Sequence, residues 1–332
     1  MNIEKASSPS RQLPVARAAR GLTVSEHNVG RTLGIALKLI ALATVLFLLY
    51  SLAGQVVGAL PPSTPGEPAA TLAARLFAVC CLDAVVLAYL ILRSHSTGWP
   101  LMGTVIILFF GVGTCMPQIE TAVFVTQLPS GVLPRLFLMG ALIAVPFSVI
   151  AVVVLGKRAR AATSTGVPAL LPARAWAWRL AVLVVIYLVL YFTFGYYVAW
   201  KDPAVRAYYG GVDPGTFIGQ LRAVARDTPW LFPLQALRAL LWTAIALPAI
   251  RALAGSRIET ALFVGGGFAI LMSAQLLLPN PFMPEAVRMT HLLETASSNF
   301  LFGCCIGALL APRARTTFSA RYRTAGRSRA GN

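Results

Sequence analysis

Eight apolar runs recur along this chain, at about 33–60, 72–92, 99–125, 136–156, 179–200, 231–250, 259–278 and 289–311. No other feature limits the fold so tightly. A helix needs roughly 20 residues to cross about 30 Å of hydrocarbon, and every run meets that length. Inside a bilayer each peptide N–H and C=O must find its partner within the protein, which selects helices for segments of this size. With 57% hydrophobic and only 12% charged residues among 332, the composition lies outside the range of water-soluble globules. The expected fold is therefore an all-α polytopic bundle of about eight transmembrane helices.

The formal charge of +17 would suit a nucleic-acid binder if it were spread over a surface. Instead, Lys and Arg crowd residues 1–31, 157–179, 251–257 and 313–332, whereas the connection "PPSTPGEPAAT" has none. Cytoplasmic loops carry such an excess, so both termini are expected in the cytoplasm, and an even number of spans agrees. The basic excess is an orientation signal and a contact for anionic lipid head groups; no nucleic-acid partner is expected. Trp99, Trp178, Trp200 and Trp230 fall at run ends, where indoles favour the head-group layer. The first run is too long for a signal-peptide core and should remain as an anchor. A multi-pass protein of a cytoplasmic (inner) membrane is the expected setting.

Outside the bundle at 33–311, the basic tails at 1–32 and 312–332 lack an apolar period and are expected to be disordered. Residues 201–230 form the longest external connection. Asp202-Pro203 and Asp213-Pro214 each pair an N-cap acceptor with a proline at the first helical position, and Gly210-Gly211 suits a helix end. Phe217, Leu221 and Val224 recur at helical spacing, as in a helix lying along the membrane surface.

Two near-identical strings, "IETAVFV" at 119–125 and "IETALFV" at 258–264, suggest duplication. Topology opposes it, because the first copy ends a run at the outer face and the second begins one at the inner face. Glu259 has a local explanation in "SRIE", a capping box in which Ser256 and Glu259 satisfy the first free amides. Glu120 has none. It stands about five residues inside its run, where an unpaired charge costs a few kcal/mol, and Gly111, Gly113 and Pro117 just before it weaken the helical ladder and free carbonyls.

The eighth run supplies the matching face. At 100° per residue, His291, Glu294, Thr295, Ser298, Asn299, Phe302 and Cys305 share one side of "MTHLLETASSNFLFGCC". Lipid would reject those polar groups, so they should face the bundle interior. His291 and Glu294 lie at a depth comparable with Glu120, and Arg238 and Arg75 share that layer. The candidate binding residues are therefore Glu120, Gln118, Arg238, His291, Glu294 and Asn299, lining a polar cavity for a small polar solute or ion. The competing expectation is a structural network in which Arg238 neutralises one glutamate and His291 the other.

A metal site built from Glu120, His291 and Glu294 is a further alternative, since His and Glu at i and i+3 can share one ion. An intramembrane enzyme using the same cluster, or a scaffold or sensor subunit, completes the options. No HExxH, GxxxxGK[ST], GxSxG or post-strand GxGxxG motif occurs, and no cofactor is expected. The cysteines Cys80, Cys81, Cys115, Cys304 and Cys305 lie inside apolar runs without a zinc or disulfide pattern. Asp83, midway through the second run, is expected to hydrogen-bond a neighbouring helix, and the glycines of "VGGGF" to serve close helix packing.

Orientation is open to direct measurement. A fluorescent protein fused to either terminus should report from the cytoplasmic side, and alkaline phosphatase inserted within residues 201–230 should be active outside. The reverse pattern would invert the topology.

Overall fold

The computed structural model describes residues 15–58, 68–125, 128–158, 172–280 and 282–312. These hold ten helices: α1 Val15–Val57, α2 Ala69–Arg93, α3 Gly98–Phe124, α4 Val132–Val154, α5 Ala173–Ala199, α6 Pro203–Tyr209, α7 Phe217–Asp227, α8 Leu231–Ala252, α9 Arg257–Leu277 and α10 Glu285–Leu310. All but α6 and α7 are long and apolar enough to cross a membrane. Among the described residues there is no strand, only two isolated bridges. The fold is the all-α polytopic bundle expected from the apolar runs.

The first helix corrects one expected boundary. It starts at Val15, well inside the stretch read as a disordered tail. Extending a formed helix adds one hydrogen bond per residue fixed, whereas starting a new one carries a nucleation cost, so the Ala- and Arg-containing segment before the membrane run continues it. Residues 1–14 and 313–332, the remainder of the two tails, lie outside the described residues.

Packing follows residue size. α1 touches chiefly α2 and α4; Leu42, Leu46, Ala53 and Val57 are buried on its inner stripe, while Leu33, Leu37, Ile40, Leu48 and Leu52 are exposed. In a bilayer that exposed stripe is lipid-facing. At the other extreme, α9 and α10 make the most extensive helix pair. A Cβ on Gly303 would lie 2.7 Å from the Gly265 Cα and the Val264 oxygen, and one on Gly265 would lie 2.6 Å from the Phe300 oxygen. Backbone thus meets backbone at Gly303, and at Gly265 the Cys304 Sγ closes in as well, at 2.6 Å from the place of a Cβ, the close approach that small residues permit. Of the three glycines in "VGGGF", Gly265 serves this contact, while a Cβ on Gly266 would meet nothing within 4 Å.

The helix ends at one side of the bundle are tied by backbone. His95 N donates to Ala252 O at 2.9 Å, Ala254 N to Arg93 O at 3.0 Å, and Gly98 N to Lys157 O at 2.8 Å. Here Ser256 caps α9 by accepting from Glu259 N at 3.1 Å, as the capping box predicts. The Glu259 carboxylate, however, serves mainly another helix: Arg93 Nε and Nη2 donate to it at 2.7 and 2.9 Å, and Tyr89 Oη at 2.8 Å. A bidentate guanidinium is a stronger donor than one backbone amide.

At the opposite side, α6 and α7 form the connection between α5 and α8. Asp202 caps α6 by accepting from Ala204 N at 2.8 Å, and Gly210 ends it at φ 69°, a left-handed turn suited to glycine. The second cap differs from expectation. Thr216, and not Asp213, is the N-cap of α7, accepting from Gly219 N at 3.0 Å. Asp213 instead closes a turn onto Gly215 N at 2.9 Å and faces Lys201 and Arg206 at 3.7 and 3.9 Å. The Gly215 amide and these cations hold its carboxyl below the usual range.

The α9–α10 seam gives a stability test. Gly303→Val forces side-chain atoms against backbone that no rotamer change can clear, and should lower stability by about 1–3 kcal/mol or more. Gly266→Ala should leave the thermal unfolding midpoint in detergent unchanged.

Candidate functional site

Proline at position 117 organises the approach to Glu120. Lacking an N–H, Pro117 leaves the Gly113 carbonyl without its helical donor. The ladder of α3 widens into a π turn at Gly111–Cys115, and Gln275 of α9 donates through Nε2 to Gly113 O at 3.0 Å. The sequence-based expectation of a loosened ladder and a freed carbonyl is met, and the partner is a neighbouring helix. A second π turn, Gly195–Ala199, ends α5. Such single-turn bulges frequently mark functional segments.

Glu120 leaves α3 one turn past Pro117 and meets Arg238 of α8. Arg238 Nη2 donates to Glu120 Oε1, and Nη1 donates to Gln235 Oε1 at 2.8 Å. The two partners differ in cover: the Arg238 side chain is 2% exposed and that of Glu120 31%. The guanidinium carbon also lies 5.9 Å from the centre of the Tyr187 ring, within cation–π range.

The second acid is handled by a histidine. His291 Nδ1 stands 2.6 Å from Glu294 Oε2, and its Nε2 stands 3.2 Å from Tyr209 Oη, supplied by α6. Tyr209 lies beyond the spanning segments, and burial raises its phenol above the ordinary range, so it remains an O–H donor. A neutral imidazole with its proton on Nδ1 satisfies both contacts at once. The same helix pair is latched again where Thr290 donates to Asp202 Oδ2. That bond and the Ala204 amide hold the Asp202 carboxyl below its usual range.

Aromatic side chains flank both pairs: the Tyr187 ring lies over Arg238 and is stacked with Tyr191 at 6.4 Å between ring centres, and the Tyr209 ring meets the His291 ring edge-on at 5.8 Å. Gly195, at the α5 π turn, leaves room beside the second acid: a Cβ there would lie 3.6 Å from Glu294 Oε1. Five helices contribute to the two pairs of this polar layer: α3, α5, α6, α8 and α10.

Two sequence candidates stand apart from it. Gln118 precedes Glu120 by two residues and so points about 200° away around the helix; its side-chain oxygen is buried without a hydrogen-bond partner. Asn299 is buried on α10, about 7.5 Å further along the helix than Glu294. Among the described residues it makes no hydrogen bond to the cluster. The metal set is also not assembled. No three His, Cys, Asp or Glu side chains among the described residues are grouped to hold an ion. Arg238 engages Glu120, and both His291 nitrogens already have neighbours. Asp83 departs from its expected hydrogen bond as well: it is 3% exposed and its Oδ1 has no partner.

Four contributors lay outside the sequence-based set: Gln235, Tyr187, Tyr191 and Tyr209. Gln235 precedes Arg238 by three residues, and Tyr187 and Tyr191 are four apart, spacings that place each pair on one helix face. Tyr209 gave no periodic signal, because it comes from a seven-residue helix outside the spans. Comparison with protein-family models, curated proteins and solved structures finds no match for this chain.

The ion pair can be tested by a double-mutant cycle. Glu120→Met leaves a buried guanidinium uncompensated and should cost about 3 kcal/mol. Adding Arg238→Met should restore much of that loss in chemical or thermal unfolding of the purified protein. Additive losses would show that the pair is uncoupled.

Proposed function

We propose that this multi-spanning membrane protein binds a small polar solute or ion at the Glu120, Arg238, His291 and Glu294 cluster, in the outer third of a cytoplasmic membrane. Binding there is the first step of moving the solute. One observation carries this: the unequal cover of the Arg238–Glu120 pair, with the guanidinium sealed and nearly a third of the carboxylate side chain open. A sealed cation fixes the carboxylate in place. The open side leaves Oε2 free to accept from a ligand, because Arg238 takes only Oε1. Recognition by a few convergent polar groups is the usual pattern of a small-solute site.

A second reading has its own support. Glu120 faces Arg238 and Glu294 faces His291, which is the pairing a purely structural network requires. In that case the cluster only fixes how α3, α8 and α10 pack, and the protein serves as a scaffold or sensor subunit.

Gly195→Cys separates the two without disturbing a charge. The new side chain stands beside Glu294 in ordinary van der Waals contact, in a background with the five native cysteines replaced. A membrane-impermeant cationic methanethiosulfonate added from outside should modify it, and several-fold more slowly when Glu294→Gln is added. If only a membrane-permeant maleimide reacts, the cluster is closed to solutes and the structural reading stands.

A further inference from the structure

On the face of α10 turned away from His291 and Glu294, the seam with α9 opens into a groove of about 450 Å³ lined by Ala269, Ala296, Ser297, Phe300 and Leu301. Phe300 and Leu301 are exposed there, so in a bilayer the groove faces hydrocarbon. Its one hydroxyl is already used, because Ser297 Oγ donates to Leu293 O at 2.7 Å. Left empty, the groove would forfeit the dispersion contacts of its lining atoms, and only an apolar chain can supply them at that depth. The seam itself leads from the groove to a cation. Arg257, Ala261, Gly265 and Ala269 recur every fourth residue and share one ridge of α9. Against this ridge α10 stays in contact: Arg257 Nε donates to Ala308 O, a Cβ on Gly307 would lie 2.5 Å from Ala261 Cα, and one on Gly265 would lie 2.6 Å from Phe300 O. Ile258 and Leu262, 73% and 55% exposed, continue the apolar surface beside it.

We propose that this face binds one anionic phospholipid, with its phosphate on the Arg257 guanidinium and one acyl chain running past Ile258 and Leu262 to end in the groove at Ala269 and Ala296. The charge fits. Arg257 is exposed, spends only Nε on a carbonyl, and among the described residues has no carboxylate partner. Glu259, two residues on, is held by Arg93 and Tyr89 and so does not compete for it. Guanidinium is the side chain best suited to phosphate, through paired N–H donors. The length fits as well. Arg257 and Ala269 are separated by roughly 18 Å along the helix at 1.5 Å per residue, while one leaflet contributes about 15 Å of hydrocarbon, half of the bilayer core. A chain anchored at Arg257 therefore ends at the level of the groove. A helix from a second copy would fill the groove but bring no anion to Arg257, and a zwitterionic lipid offers its phosphate beside a cation of its own.

Three probes test the assignment: dioleoylphosphatidylglycerol, dioleoylphosphatidylcholine, and glycerophosphoglycerol, which is the anionic head group without chains. The readout is the thermal unfolding midpoint of the full-length protein in detergent micelles as each probe is added, because a ligand of the folded state raises it by mass action. Phosphatidylglycerol should act at a half-saturating mole fraction about fivefold or more below that of phosphatidylcholine, the gain expected from one arginine at the head-group level. The soluble head group should give no shift. Arg257→Gln should bring phosphatidylglycerol down to the level of phosphatidylcholine, and Arg257→Lys should keep most of the preference. Ser297→Phe fills the groove from its exposed wall without touching Arg257 or the seam, and should weaken the phosphatidylglycerol response several-fold; it carries the test if Arg257→Gln does not fold. Equal potency of the two lipids overturns the proposal, as does a preference that survives in Arg257→Gln. A phosphatidylglycerol response undiminished in Ser297→Phe shows charge attraction to the micelle without a chain site, and a head-group shift equal to that of the lipid shows a phosphate site without a lipid. Either result also overturns it.

Discussion

A guanidinium enclosed by helices in hydrocarbon is tolerable only with a counter-charge, and Arg238 is the most enclosed cation in the polar layer. Its requirement reaches across the fold. Glu120 must be delivered from α3 at the same depth, and the chain meets this demand with a π turn and a proline just before the acid. That break in turn exposes the Gly113 carbonyl, which a lipid environment cannot satisfy. Gln275 of α9 does so. One charged group thus commits three helices to a common register.

The same rule explains the far end of α9. Its last turn tightens to a 3-10 helix over Ala274–Leu277, and Arg288 donates to Leu276 O and Leu278 O at 2.7 and 2.6 Å. A buried arginine placed at a helix C-terminus satisfies orphan carbonyls and complements the helix dipole. It also anchors the start of α10, the helix that presents His291 and Glu294. Between these points the glycine seam lets α9 and α10 approach backbone to backbone, which sets their mutual position more rigidly than long side chains would. The polar layer therefore rests on a stiff pair of helices.

Much of this was readable in the residues. The eight spans follow from run length, and the inward polar face of α10 from its 100° periodicity, with Leu293 and Phe300 exposed on the opposite face. Shared depth suggested that Arg238 could neutralise one of the two glutamates, as the alternative to an open cavity; that the partner is Glu120 came from the structure. Other features were not readable. Gln118 seemed part of the site because it is near Glu120 in sequence, but neighbours two apart do not share a helix face. Thr216 displaced Asp213 as a cap because two nearby cations and a turn amide claim the aspartate, and that competition arises only when Lys201 and Arg206 fold back onto it.

By itself the sequence determined that this chain crosses a membrane as helices, because hydrocarbon demands internal backbone bonding and run length alone satisfies that demand. It also determined which groups are too polar to face lipid. Only the tertiary structure decided how those groups divide their bonds: which oxygen of each carboxylate is engaged, that a tyrosine from beyond the spans completes His291, and that Gln235 and Arg238 keep buried donors unmatched. Side-chain pairing depends on separations of a few ångströms between different helices, and those distances are set by packing of whole helix faces, which no local pattern encodes.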